Sequence, residues 1–374
     1  MNVSTSALKG IVTTLAVVLV ILWSGIHFLS KPRKRLSPAG NLLSSLAFEP
    51  GRNSTFSSEP LVFPRDHGIH WRSGSEFWQI GGVLETSNRE RFGFESTWIR
   101  VDLDTDLKQR RSAWATDQIF HLSHGVIPFK QGETIREAET GRKALGLAGY
   151  DPQQHKIWVY ERQLLFHESG AGSDIQMNIP DGAYPVHLEF HAAKPMIVAP
   201  LSRPLRYYTF TRMNAKGTLS IDGEHRAVSG QAYFEHSWGK LPQGRGQLVQ
   251  NRWILQLSNG IDLNLLESRR RDGSGKAIHS GFMVLPGGES IAFEPGDPDI
   301  EQTRYWTSST SAIRYPVQWK IRIPEADLML DVRAWRDDQE TPDSPINWAG
   351  MASVSGQQGT HAVTGFGQVQ LSGY

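Results

Sequence analysis

Two stretches of the chain bring acids, imidazoles and indoles close together. The first is Phe63-Pro64-Arg65-Asp66-His67-Gly68-Ile69-His70-Trp71, followed by Glu76-Phe77-Trp78-Gln79 and by Phe92-Gly93-Phe94-Glu95 running on to Arg100. The second is Ala232-Tyr233-Phe234-Glu235-His236-Ser237-Trp238-Gly239. An aromatic wall excludes water, and a carboxyl or imidazole set against it acquires a shifted pKa. Such a setting suits proton transfer to an apolar substrate, or tight binding of one.

These residues must be positioned by strands, whose successive side chains point to opposite faces. Phe234, His236 and Trp238 then share one face, with Tyr233, Glu235 and Ser237 on the other. His236, between two aromatics, is a candidate acid, base or substrate-orienting group; the plainer reading is a core histidine bonded to a carbonyl. Glu76 and Trp78 also share a face. A buried Glu76 needs a partner, for which Arg65 and Arg100 are available, or it becomes a protonated acid. Asp66 and His70 share a face if their segment is extended, as an acid-oriented imidazole, a metal pair or a loop cap. No third ligand at fixed spacing and no cysteine support a metal, so none is expected. Of His121 and His124, His124 is the substrate-site candidate, joining Trp78, Asp66, His67, His70 and Phe234. No Gly-x-Ser-x-Gly elbow is present, and Ser237 points away from its neighbour His236. The chain also lacks a phosphate-binding glycine loop and a dinucleotide fingerprint.

The elements around these residues read as β throughout. Short period-2 runs recur from about residue 61, broken by Gly, Asn, Asp and Pro. In Trp253–Leu265, Asn259-Gly260 supplies the turn of a hairpin, and Leu219–Gly223 suggests another. Met213-Asn214-Ala215-Lys216-Gly217 reads as a turn between two β units. The expected organisation is a membrane segment over 1–30, a linker over 31–60, and β domains over 61–214 and 215–374. The 374 residues carry a net charge of +1 and no basic stripe, which excludes a nucleic-acid surface. Ile11–Leu29 has no charge and is long enough to cross a bilayer. Lys31, Arg33, Lys34 and Arg35 follow it, so the positive-inside rule taken literally keeps the bulk of the chain cytoplasmic.

From Phe63 to Tyr374 the ordered segments resemble the AttH-like and carotenoid hydratase family of lipocalin-like proteins. The matching pieces are Phe63–Gly68 with Glu76-Phe77-Trp78, then Phe92-Gly93-Phe94 with Thr97 and Arg100, then Asp117-Gln118 before His124. They continue with Phe234–Gly239, Tyr315-Pro316-Val317-Gln318-Trp319, Val354-Ser355-Gly356 and Leu371-Ser372-Gly373-Tyr374. The resemblance implies two lipocalin-like β-barrel or sandwich domains side by side, a mostly apolar pocket near their junction, no cofactor, and export of the bulk of the protein. In the hydratases a His-x-Trp pair is associated with activity; it maps onto His236 and Trp238. Their Tyr and Asp on the next strand are not matched, since Ile261–Glu267 has no tyrosine.

The expectation is thus an all-β enzyme of hydratase, isomerase or cyclase type acting on a lipophilic isoprenoid or polyene. Glu76, or else Glu235, donates a proton as a neutral acid; Trp78 and Trp238 face the resulting cation; His236 activates water. The alternative is a membrane-anchored module that binds a lipid or other hydrophobic small molecule without catalysis, as an accessory to a membrane transporter. A hydrolase is the weakest reading.

Overall fold

The computed structural model describes residues 60–374, except 72, 104–111, 131–133, 170–171, 199–204, 240–247, 295–296 and 342–347. The expected membrane segment and nearly all of the linker lie outside the described residues.

The described chain contains strands and short 3-10 turns, with no α-helix. The first sheet holds β1 (Ser75–Thr86), β2 (Arg91–Asp102), β3 (Gln118–Pro128), β4 (Ile135–Arg142), β5 (Ala148–Asp151), β6 (Lys156–Val159), β7 (Arg162–Ser169), β8 (Gly172–Ile179), β9 (Val186–Ala192), β10 (Ile197–Val198), β11 (Leu205–Ile221) and β12 (Glu224–Gly239). Its order is β4-β3-β2-β1-β12-β11-β9-β8-β7-β6-β5, all antiparallel, with β10 on the flank of β11; it curls into a nearly closed barrel. The second sheet holds β13 (Leu248–Leu257), β14 (Asp262–Arg270), β15 (Ile278–Val284), β16 (Ser290–Ala292), β17 (Asp299–Thr307), β18 (Arg314–Ile323), β19 (Leu328–Ala334), β20 (Trp348–Gln358) and β21 (His361–Ser372). It runs β16-β15-β14-β13-β21-β20-β19-β18-β17 and forms a half-barrel.

The period-2 pattern sets which face is buried. In β19, Leu328, Leu330, Val332 and Ala334 are buried and the residues between them are exposed. Inward aromatics fill each barrel: Trp78, Phe94, Trp98 and Phe190 in the first, and Trp253 and Trp319 in the second. Each such side chain contributes about 1.5–3 kcal/mol through burial. The turn expected at Asn259-Gly260 is present, with Gly260 at a φ of 85°.

The break expected near residue 215 is not there. Met213–Gly217 lies inside β11, paired with β12 on one side and β9 on the other. Gly217 is required by close approach rather than by a turn: a Cβ there would meet the His187 carbonyl oxygen at 2.0 Å. The chain changes sheets only after Gly239.

The outer face of the first barrel packs against β13, β14, β20 and β21, and that junction is polar. Glu235 takes hydrogen bonds from Tyr207, Arg252 and Asn264. Glu95 binds Arg136 and Gln368. Asp262 binds Thr211, Arg212 and Lys194.

Candidate active site

One end of the first barrel assembles the two sequence clusters. The ladder between β1 and β12 sets Glu76 opposite Trp238 and Trp78 opposite His236. The 3-10 turn Arg65–His67 folds over this end and buries Asp66 and His67. Asp66 Oδ2 accepts the Val62 N–H at 2.6 Å, while Oδ1 accepts Arg65 Nε at 2.9 Å. Trp78 Nε1 donates to the His67 carbonyl at 2.8 Å, tying turn to strand.

Glu76 is the hub. Its Oε1 accepts the His70 backbone N–H at 2.8 Å, lies 2.6 Å from His70 Nδ1, and stands 3.5 Å from His236 Nε2. Its Oε2 accepts Arg100 Nε at 2.9 Å. Arg100 is fully buried and donates through Nη2 to the carbonyls of His70 and Ser73. The imidazoles are held by indoles. His70 stacks on Trp238 at 3.8 Å between centroids and 6° between planes; His236 stacks on Trp78 at 4.7 Å and 16°. Tyr208 stands edge-on to His236 at 5.4 Å, and its hydroxyl lies 2.6 Å from His67 Nδ1.

Charge states follow from these surroundings. Burial on its own would raise the Glu76 pKa, but Arg100 and the contacts with His236 and His70 outweigh it and hold the carboxyl well below the usual carboxylate range. Glu76 is therefore a carboxylate, which overturns its expected role as a neutral proton donor. His236 is pushed down to about 4 by burial, against the pull of Glu76. The Glu76 carboxylate, 3.5 Å from Nε2, and the Asp66 backbone are near enough to favour a proton on His236, but neither reaches aligned hydrogen-bond geometry. Burial pushes His67 down to about 3, with His236 adding to the effect.

His70, Glu76 and His236 offer donor atoms within 4.8 Å of one another, a set that could hold a metal. The Arg100 guanidinium on the same carboxylate opposes a dication there.

The expected residues divide into three groups. Glu76, Trp78, His70, His236 and Trp238 meet at one point, with Asp66 Oδ1 3.7 Å from His70 Nε2. Phe234 faces the same interior and packs edge-on against His67 and Phe166 and tilted against Tyr208, at ring distances of 5.8–6.5 Å. Glu235 and His124 stand apart. Glu235 points outward to the sheet junction, because strand alternation sends it away from His236, so it cannot serve as acid at this site. His124 is inward on β3, opposite Ser96, with both ring nitrogens unpartnered, and burial lowers its pKa to about 4. The Glu95 carbonyl is near enough to favour a proton on His124 without reaching hydrogen-bond geometry. The tryptophans also differ from expectation: each gives a ring face to a histidine, so their first role is to hold imidazoles. Sequence reasoning missed Tyr208; its signal was the inward alternation of Tyr208 and Phe210.

A family model described as AttH-like matches residues 55–374. The chain belongs to the AttH-like family. The fold agrees with solved structures of low identity. A Nitrosomonas europaea protein assigned as an AttH aligns with a TM-score of 0.69 at 18% identity, over 85% of this chain and 98% of that one. Kievitone hydratase from Nectria haematococca aligns with a TM-score of 0.61 at 15% identity, over 86% of this chain and 96% of that one. Both share with this AttH-like chain the lipocalin-like architecture. No curated protein matches the sequence.

Proposed function

We propose that this AttH-like protein is a proton-transfer enzyme of hydratase or isomerase type, acting on a lipophilic isoprenoid or polyene-like substrate. The observation that carries this reading is His236: fully buried, without an aligned hydrogen bond at either nitrogen, set beside a carboxylate fixed by Arg100, and lowered by burial to a pKa of about 4. A neutral imidazole can accept a proton, and the carboxylate at its edge offsets part of what burial costs the resulting cation. His70 is the complementary acid by position. Its Nδ1 is bound to Glu76 and its side chain, 22% exposed, is the one in the Glu76–His236 group that reaches the surface. Glu76 orients both rings, and protein groups alone supply the proton transfers. The name of kievitone hydratase, a structural neighbour, points the same way. Ile11–Leu29 would anchor the protein to a membrane, with the barrels exported and the substrate drawn from a lipophilic pool.

A second reading is favoured by the complete burial of Glu76, Arg100 and His236. In it the network is structural and the protein binds a hydrophobic molecule unchanged. The two separate in one experiment. Full-length protein in detergent is incubated with acyclic isoprenoids and polyenes in D₂O, and products are read by mass spectrometry. Deuterium in the product, lost with His236→Ala and retained with His279→Ala, supports the enzyme. Substrates that bind and are recovered without deuterium overturn it.

A further inference from the structure

Large apolar side chains are left exposed at the end of the first barrel where the His236 site lies. Val62, Trp71, Trp114 and Leu145 are each 51–59% exposed. They belong to one neighbourhood. Trp71 follows His70 directly, and Lys143 Nζ sits 5.5 Å from its ring and 3.1 Å from Asp117. Trp114 precedes Asp117 by three residues and Leu145 follows Lys143 by two. Val62 donates to Asp66 in the turn above the site.

The second sheet presents a matching feature on the same side. The end of β14 and the turn that follows it carry Arg270, Arg271 and Lys276, all exposed, beside Ile278 at 65% exposure. Its direction is fixed by the junction. Tyr207, near the start of β11, meets Asn264, while Arg212 further along meets Asp262. β14 therefore runs against β11, and its Arg270 end emerges where β11 begins. That start pairs with Gly239 at the end of β12, which in turn pairs with Ser75, beside Glu76. Exposed indoles and aliphatics at the same end of the molecule as clustered cations match the two components of a bilayer interface: the apolar groups enter the headgroup boundary and the cations meet anionic lipid. Tryptophan in particular favours that depth. The chain enters this same end at residue 60, and the uncharged Ile11–Leu29 stretch lies thirty residues upstream in sequence.

We infer that this face is a membrane-docking surface: Val62, Trp71, Trp114, Leu145 and Ile278 enter the interface of an anionic bilayer, and Arg270, Arg271 and Lys276 bind its headgroups. The site end of the first barrel then faces lipid, the phase that holds an apolar molecule. Docking holds whether the site is catalytic or not.

The absence of cysteine makes the test clean. Full-length Leu145→Cys and Ile278→Cys proteins carry an environment-sensitive fluorophore in single-copy lipid nanodiscs. Met329→Cys serves as control, exposed at the far end of the second sheet, where β19 pairs with the end of β20. Docking predicts quenching by lipid-borne quencher at 145 and 278 and none at 329. In discs containing phosphatidylglycerol, each of Arg270→Gln, Arg271→Gln and Lys276→Gln lowers the docked-to-free ratio about fivefold, and has little effect in phosphatidylcholine alone. Labels at 145 and 278 as open to aqueous iodide as the label at 329 would overturn the inference. So would labels shielded from iodide but untouched by lipid quencher, because a protein surface would then be covering them.

Discussion

Each barrel buries a glutamate among its inward side chains, and the two are treated differently. In the first, Glu76 is bound by Arg100 and His70, and His236 stands beside it with no hydrogen bond of its own. In the second, Glu267 collects Asn251 at 2.9 Å, Gln302 at 3.0 Å and His279 at 3.3 Å, with Arg269 at 3.6 Å. His279 is half-buried, and its bond to Glu267 raises its pKa. His236 is fully buried, and burial lowers its pKa although a carboxylate is close by. The same pair of residue types thus gives a hydrogen-bonded contact that favours the protonated histidine in one sheet, and a histidine without an aligned hydrogen bond, kept neutral by burial, in the other. Depth of burial decides which, since desolvation penalises the cation more than a long contact repays it.

The largest test of this contrast is to remove the buried cation. Arg100→Met leaves Glu76 charged and uncompensated, and should cost about 3–5 kcal/mol in urea unfolding. Glu267→Gln leaves amide partners in place and should cost about 1–2 kcal/mol. Equal losses would erase the distinction. Activity should divide as sharply: His236→Ala should lower turnover about 10²–10⁴-fold, the usual contribution of a general base, while His279→Ala leaves it unchanged.

The pH dependence of stability sharpens the comparison, because the two histidines act with opposite sign. The folded pKa of His236, about 4, lies below its ordinary 6.5, so the unfolded chain holds more protons between those values. Its contribution is complete above pH 6.5 and is lost as pH falls toward 4. The pKa of His279 is raised, so its contribution is present below 6.5 and is lost as pH rises through the raised value. Urea midpoints over pH 4–8 should lose part of their acid-side fall in His236→Gln, and should drop mainly at acid pH in His279→Gln. The smallest effect expected is for Tyr208→Phe, which removes one hydroxyl from His67 and should cost about 1 kcal/mol.

Much of the first site was legible because strand alternation is local. It placed His236 with Trp238 and Glu76 with Trp78, while the need of a buried Glu76 for a partner offered Arg65 and Arg100, of which Arg100 binds it and Arg65 binds Asp66. What failed was non-local. Tyr208 faces His236 through a register between β11 and β12 that shifts between Phe210 and Met213, and no local pattern encodes that. Glu235 finds Arg252 and Asn264 on the other sheet, a contact set by packing. Gly217 reads as a turn and is instead a close approach of two strands. The charge on Glu76 follows from which side chains surround it, and sequence spacing lists candidates for that shell without ranking them.

The central claim is that burial holds His236 neutral although the Glu76 carboxylate stands beside it. The most direct measurement is an NMR titration of histidine-labelled protein, with His236 and His279 assigned by single substitution. The account predicts that His236 stays neutral down to about pH 4 while His279 titrates above its ordinary 6.5. A His236 imidazolium at pH 7 would contradict it.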